Sequence, residues 1–99
     1  MSQGHIYRTR DGQDLICRVQ ADLGLETPLI LVAPVVARSD WGGLTPKLHI
    51  PVTLAGTGYV IVMSQMLALP QREIGKIIST DTAHRDALIT AVDLLVSGF

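Results

Sequence analysis

Residues 80–99 read TDTAHRDALITAVDLLVSGF, and they determine the fold class that we expect. Apolar residues recur there at intervals of three and four, which is typical of one face of an amphipathic helix. Thr80 or Asp81 is placed to cap the first turn, and Gly98 is placed to end the helix in the left-handed conformation. The apolar stripe comprises Ala87, Leu88, Ala91, Leu94 and Leu95, and we expect Leu88, Ala91 and Leu95 to lie in the core.

The segments before this helix are predicted to be strands joined by tight turns. HIYRT (5–9) and DLICRVQ (14–20) flank the pair Asp11-Gly12, which is a strong hairpin signal because glycine readily adopts a positive φ. A second hairpin is expected where AGTG (55–58) joins KLHIPVTL (47–54) to YVIVMSQM (59–66).

Prolines limit the positions that the remaining strands can take in a sheet. LILVAPVVA (29–37) predicts a strand covered on both faces, but Pro34 removes a ladder donor and so indicates an edge position or a bulge. Pro51 likewise indicates an edge or an irregularity. Pro70 interrupts residues 67–80, for which we predict only a short strand or a single turn of helix.

Strands first and one helix last favour a small α+β fold, or a curled barrel-like sheet, over alternating βαβ units. The 99 residues support a single domain, residues 1–99. Eight basic and nine acidic residues give a formal net charge of −1, which argues against tight nucleic-acid binding by charge. No signal-peptide pattern and no apolar run of membrane-spanning length is present, so a cytoplasmic location is expected.

The sequence shows no arrangement of residues that is typical of catalysis. His5, His49 and His84 lie on separate elements without metal-ligand spacing, and no carboxylate pair or GxSxG motif is present. The single cysteine, Cys17, lies in an apolar run and is predicted to be a buried hydrophobe. Trp41 either covers the protein's own core or lies at an interface. We therefore predict a binding protein with no cofactor and no metal.

Three segments resemble the CcdB family of bacterial toxins, in the family's order and spacing and across nearly the whole chain. They are VQADLGLETPLILVAPV (19–35), YVIVMSQMLALPQREIG (59–75) and AHRDALITAVDLLVSGF (83–99). The resemblance implies a homodimer of small, strongly bent antiparallel sheets, an SH3-like barrel of the CcdB/MazF/Kid type, each with a C-terminal α-helix.

The same resemblance implies the toxin half of a toxin–antitoxin pair. Family toxins of the plasmid type bind the A subunit of DNA gyrase and trap the enzyme on cleaved DNA, without a reaction catalysed by the toxin. A small antitoxin with an acidic, largely disordered tail removes the toxin from gyrase. The toxin then contacts operator DNA only through the antitoxin, with which it represses the operon.

The resemblance assigns target binding to one loop and to the chain's last residues. Gly98 matches the plasmid toxin, whose tail reads Phe-Trp-Gly-Ile, whereas Ser97 replaces the tryptophan and Phe99 replaces the isoleucine. Asp93 replaces an asparagine, and the loop pair 23–24 replaces two isoleucines. The predicted target-binding residues are Leu23, Gly24, Asp93, Val96, Ser97, Gly98 and Phe99.

Three alternatives remain open from the sequence. The first is a non-poisoning relative that acts in antitoxin binding and operon control. It stays open because Ser97 replaces a tryptophan, and a buried tryptophan is a frequent interface anchor. The second alternative is a MazF-like endoribonuclease, although the near-neutral net charge disfavours a groove that binds RNA. For the tail itself, Val96 and Phe99 would alternatively seal the base of the barrel.

Overall fold

Seven antiparallel strands and one C-terminal helix form the regular structure of residues 2–25 and 27–98, the part of the chain that the computed structural model describes. The strands are β1 (Ile6–Thr9), β2 (Leu15–Arg18), β3 (Leu29–Ala37), β4 (His49–Leu54), β5 (Thr57–Val62), β6 (Leu67–Pro70) and β7 (Ile74–Ser79), and the helix is α1 (Arg85–Ser97). The order in the sheet is β4-β5-β3-β2-β1-β7, with β6 paired to β3. The predicted α+β class is confirmed, with an antiparallel sheet that stays open between β4 and β7.

Both predicted hairpins are present. Gly12 has a φ of 78° in the turn between β1 and β2, where the Asp11 carboxylate accepts hydrogen bonds from the Gln13 N–H (2.9 Å) and the Thr9 hydroxyl (2.7 Å). Ala55 (φ 51°) and Gly56 (φ 81°) form the second turn. Only the first half of AGTG is therefore the turn, and Thr57 already belongs to β5.

Pro34 lies inside the sheet, so the predicted edge or bulge is wrong. The Val19 N–H donates to the Leu31 carbonyl, which places odd-numbered positions of β3 toward β2 and the nitrogen of Pro34 toward the opposite side. On that side β3 pairs with β6 as far as Val32 and with β5 from Val35 onward. Proline is tolerated here because its missing N–H falls where β3 changes partner.

The outcome differs for the segments that contain the other two prolines, Pro51 and Pro70. β4 pairs with β5 alone and ends the sheet, as Pro51 indicated. Residues 67–80 contain more structure than the sequence predicted, because β6 and β7 are separated by a 3-10 turn at Gln71–Glu73 and pair with different strands. Both β6 and β7 are short, so neither shows a clear alternation of apolar and polar residues in the sequence.

The core lies between the sheet and α1. Its buried side chains include Ile6, Leu15, Cys17, Val19, Ala33, Val35, Ile50, Ile61, Met63, Leu88 and Ala91. Leu88 and Ala91 are fully buried, as predicted, but Leu95 is 41% exposed, so its assignment to the core is wrong. Leu95 lies one turn beyond Ala91, the last residue of α1 that is fully buried.

The ends of α1 confirm one prediction and correct another. Gly98 closes the helix in the left-handed conformation (φ 79°), and its N–H donates to the Leu94 carbonyl at 2.9 Å. The start differs from the prediction, because His84 occupies the N-cap without a capping side chain. The carboxylate of Asp81 instead accepts a hydrogen bond from the Ala83 N–H at 3.0 Å and closes a separate turn before the helix.

Candidate target-binding surface

The loop between β2 and β3 (residues 19–28) is held at its base by a buried arginine. Arg18 is only 6% exposed. Its Nε donates to the Gln20 carbonyl at 2.9 Å, its Nη2 donates to the Ala21 carbonyl at 3.1 Å, and Nη2 lies 3.7 Å from the Asp22 carboxylate. One guanidinium therefore fixes the first residues of the loop, because its planar donors point in set directions.

Gln20 ties the two ends of this loop together. Its Nε2 donates to the Thr27 hydroxyl oxygen at 2.8 Å, and its Oε1 accepts from the Leu31 N–H at 3.1 Å. The Thr27 hydroxyl in turn donates to the Leu29 carbonyl at 2.7 Å. The loop thus leaves and re-enters the sheet through a connected set of hydrogen bonds.

The tip of the loop presents apolar side chains to solvent. Leu23 is 59% exposed and Leu25 is 64% exposed, and between them Gly24 has a φ of 73°. An exposed leucine pair on a fixed loop is a surface that a partner can bury favourably. Leu23 and Gly24 were predicted as target-binding residues. Leu25 was missed, although the alternation of leucine and glycine in LGL (23–25) signals it.

The second predicted surface is the end of α1. Val96 is 79% exposed, and Asp93, Ser97 and Gly98 are exposed beside it. The alternative in which Val96 seals the base of the barrel is therefore wrong. Phe99, the last predicted contact, lies outside the described residues. In the described parts of the chain, no hydrogen bond or ion pair joins the tip of the loop to α1, so each surface is held by its own element.

Trp41 packs against its own subunit. Its indole Nε1–H donates to Nδ1 of His49 at 3.3 Å, and the two rings meet edge to face with centroids 5.0 Å apart. The structure therefore shows an intramolecular contact for Trp41, and its role at an interface stays a prediction.

Cys17 and His84 come closest to the geometry of a nucleophile and its base, at 4.0 Å between Sγ and Nε2. Burial raises the pKa of the Cys17 thiol to about 12, so the thiolate is not formed near neutral pH. Nε2 of His84 lies 2.7 Å from the Gly4 carbonyl, an acceptor only, so this nitrogen carries the proton and cannot take one from sulfur. The pair is structural.

Neither a metal-ligand cluster nor a membrane-spanning helix is found in the described ranges. No group of three or more His, Cys, Asp or Glu side chains among residues 2–25 and 27–98 could share a metal ion. Over the same residues, no helix is long and apolar enough to cross a bilayer.

The fold is that of the small α+β toxins. A solved structure described as "Endoribonuclease in complex with its cognate antitoxin from Mycobacterial species" superposes with a TM-score of 0.71, over 94% of this chain and 91% of that chain, at 17% sequence identity. At that identity the match shows the shared fold alone. No curated protein sequence matches significantly.

The particular family follows from the sequence match. The family model described as "CcdB protein" matches residues 3–98, and the chain belongs to the CcdB family. This confirms the resemblance that the three segments indicated. Membership makes the chain a toxin-type component of a toxin–antitoxin system.

Arg18→Met is expected to lower the free energy of unfolding by about 1–2 kcal/mol, because two charge-assisted hydrogen bonds to backbone carbonyls are lost. Urea denaturation followed by circular dichroism measures the change. Arg8→Met is the matched control, since Arg8 is exposed and reaches the Gly12 carbonyl only at 3.5 Å. Equal midpoints for the two variants would show that Arg18 does not hold the loop.

Proposed function

We propose that this chain is a toxin that binds the DNA gyrase A subunit and traps the gyrase–DNA cleavage complex, with a cognate antitoxin that neutralises it. The observation that carries the proposal is the end of α1, where Val96 is 79% exposed in the tail to which the resemblance assigns target binding. The toxin needs no catalytic group in this mechanism, because it stabilises one state of another enzyme's cycle.

The physical basis is burial of apolar side chains that the fold leaves in water. Fully burying a valine or leucine contributes about 1.5–3 kcal/mol, so Val96 together with Leu23 and Leu25 supplies a useful part of an interface. In a homodimer, which we include in the proposal, each tip is present twice, and the pair suits a two-fold target. Ser97 in place of a tryptophan makes the expected affinity lower than that of the plasmid toxin.

An acidic antitoxin tail fits the charged surface of the chain. Arg10, Arg38 and Arg72 are exposed, and surface cations steer acidic partners toward a protein. The structural neighbour was solved with its cognate antitoxin, which supports an antitoxin as the partner. The toxin then reaches operator DNA only through the antitoxin, in keeping with the formal net charge of −1.

Gyrase supercoiling and DNA-cleavage assays with the purified chain test the proposal. The chain is expected to inhibit supercoiling at micromolar concentration and to increase cleaved DNA. Val96→Asp is expected to raise the inhibitory concentration at least about tenfold, because it places a charge in the buried part of the interface. Thr90→Asp, six residues earlier on the same helix, is the control and is expected to behave as wild type.

Two results would contradict the proposal. One is unchanged supercoiling at micromolar wild-type protein. The other is equal inhibition by the wild type and Val96→Asp, which would separate the tail from the activity.

A ribonuclease is the second candidate, because the structural neighbour is described as an endoribonuclease. Incubating the same preparation with RNA discriminates the two. RNA cleavage with unchanged supercoiling would replace the gyrase proposal with this one. A non-poisoning relative, in contrast, would leave both assays unchanged and still bind the antitoxin.

A further inference from the structure

A single imidazole nitrogen holds the loop between β3 and β4. Nδ1 of His49 accepts the indole N–H of Trp41 at 3.3 Å and the backbone N–H of Thr45 at 2.7 Å. The indole also packs edge to face on the imidazole ring, with centroids 5.0 Å apart. Both ends of the segment 41–45 are therefore fastened to one atom on the edge strand β4.

This arrangement requires that Nδ1 carry no proton. Both partners are N–H groups, which donate and cannot accept, so the ring is neutral with its hydrogen on Nε2. A second proton on the ring would turn Nδ1 into a donor that faces two other donors. Both hydrogen bonds would then be lost together.

The other contacts at the ends of the loop do not depend on protonation. Backbone N–H groups of Leu48 and His49 donate to the Thr45 carbonyl at 3.2 and 3.0 Å, and the Trp41 N–H donates to the Arg38 carbonyl at 3.2 Å. Loss of the imidazole bonds would thus free the indole and the segment 42–44 while β4 stays in place.

None of the residues that line the cleft beside His49 carries a negative charge. His49 lines a cleft of about 370 Å³ between β4 and α1, together with Lys47, Ile50, Pro51, Ala87 and Thr90. The loop contributes one charged group, the Lys47 ammonium, whereas β4 and α1 contribute no other titratable side chain to this lining. Because no carboxylate lines the cleft, the one charged group in this lining that a protonated imidazole would meet is a like charge, the Lys47 ammonium.

We propose that His49 is a pH-sensitive latch: protonation of its imidazole releases the Trp41 indole and the segment 42–44 from the edge strand β4. The sensor is the shared Nδ1, the moving part is the indole with the segment 42–44, and β4 is the fixed support.

Trp41 reports this motion directly, because it is the chain's single tryptophan. Titration from about pH 8 to about pH 5 is expected to shift its fluorescence emission to the red and to move its indole N–H resonance in a two-dimensional NMR spectrum. The NMR change should follow the His49 ring resonances in the same samples. Circular dichroism of each sample shows that the chain stays folded.

His49→Gln keeps an acceptor near the same place but does not titrate, so its emission is expected to be constant over this range. His5→Gln removes a histidine outside the loop and is expected to keep the wild-type profile. A wild-type indole resonance that stays still while His49 titrates would overturn the latch. An unchanged pH profile in His49→Gln would do the same.

Discussion

Leu88→Ala is expected to lower the free energy of unfolding by about 3–4 kcal/mol, the largest loss that we expect from a single side-chain truncation here. Leu88 is fully buried and belongs to the cluster that joins α1 to the sheet. Truncation removes apolar contacts and leaves a cavity between α1 and the sheet that the packed strands cannot easily close. Urea denaturation measured by circular dichroism gives the change.

Leu95→Ala is the matched control, since it makes the same chemical change two turns further along the same stripe. Leu95 is 41% exposed, so we expect a loss below about 1 kcal/mol. Similar losses for the two variants would contradict the arrangement in which the helix extends beyond its core, because Leu95 would then be buried as deeply as Leu88.

Leu88 and Leu95 show which features of a helix its sequence pattern can predict. The spacing in residues 80–99 predicted the helix, its two buried residues Leu88 and Ala91, and its Gly98 cap correctly. It could not predict where the sheet beneath the helix ends, because that limit is set by strands distant in the sequence. Leu95 therefore matched the pattern of a core residue while lying outside the core.

The same limit applies to Pro34. A proline in an apolar strand predicts an edge, since the lost N–H leaves a gap in a ladder. Here the gap coincides with the change of partner from β6 to β5, which depends on two strands that follow Pro34 by more than twenty residues. No local pattern contains that information.

In the candidate site, too, the sequence predicted some of the residues and missed others. The resemblance identified Leu23 and Val96, which the structure shows to be exposed. The groups that hold the loop, Arg18 and Gln20, were missed because their role depends on side-chain bonds to backbone atoms of the loop. An arginine that follows an apolar strand residue is ordinarily solvated, and only its burial distinguishes it.

Gly75→Ala is expected to lower the free energy of unfolding by about 3 kcal/mol, because an added methyl group would meet backbone and not side chains. A Cβ at this position would lie 2.8 Å from the Arg8 carbonyl oxygen, 3.1 Å from the Thr9 carbonyl oxygen and 3.1 Å from the Arg10 Cα. A side chain could rotate away, but these atoms belong to the chain that pairs β1 with β7. Relief of the clash therefore separates two strands at the point where their register already shifts.

Gly43→Ala is the control for this substitution. A Cβ there meets no atom within 4 Å and the backbone needs no positive φ, so the free energy of unfolding should stay within about 0.5 kcal/mol of the wild type. Hydrogen exchange adds a local measurement, because the Arg10 N–H donates to the Glu73 carbonyl at 2.8 Å beside Gly75. That amide should lose protection in Gly75→Ala and keep it in Gly43→Ala, and equal stability of the two variants would show that β1 and β7 do not approach this closely.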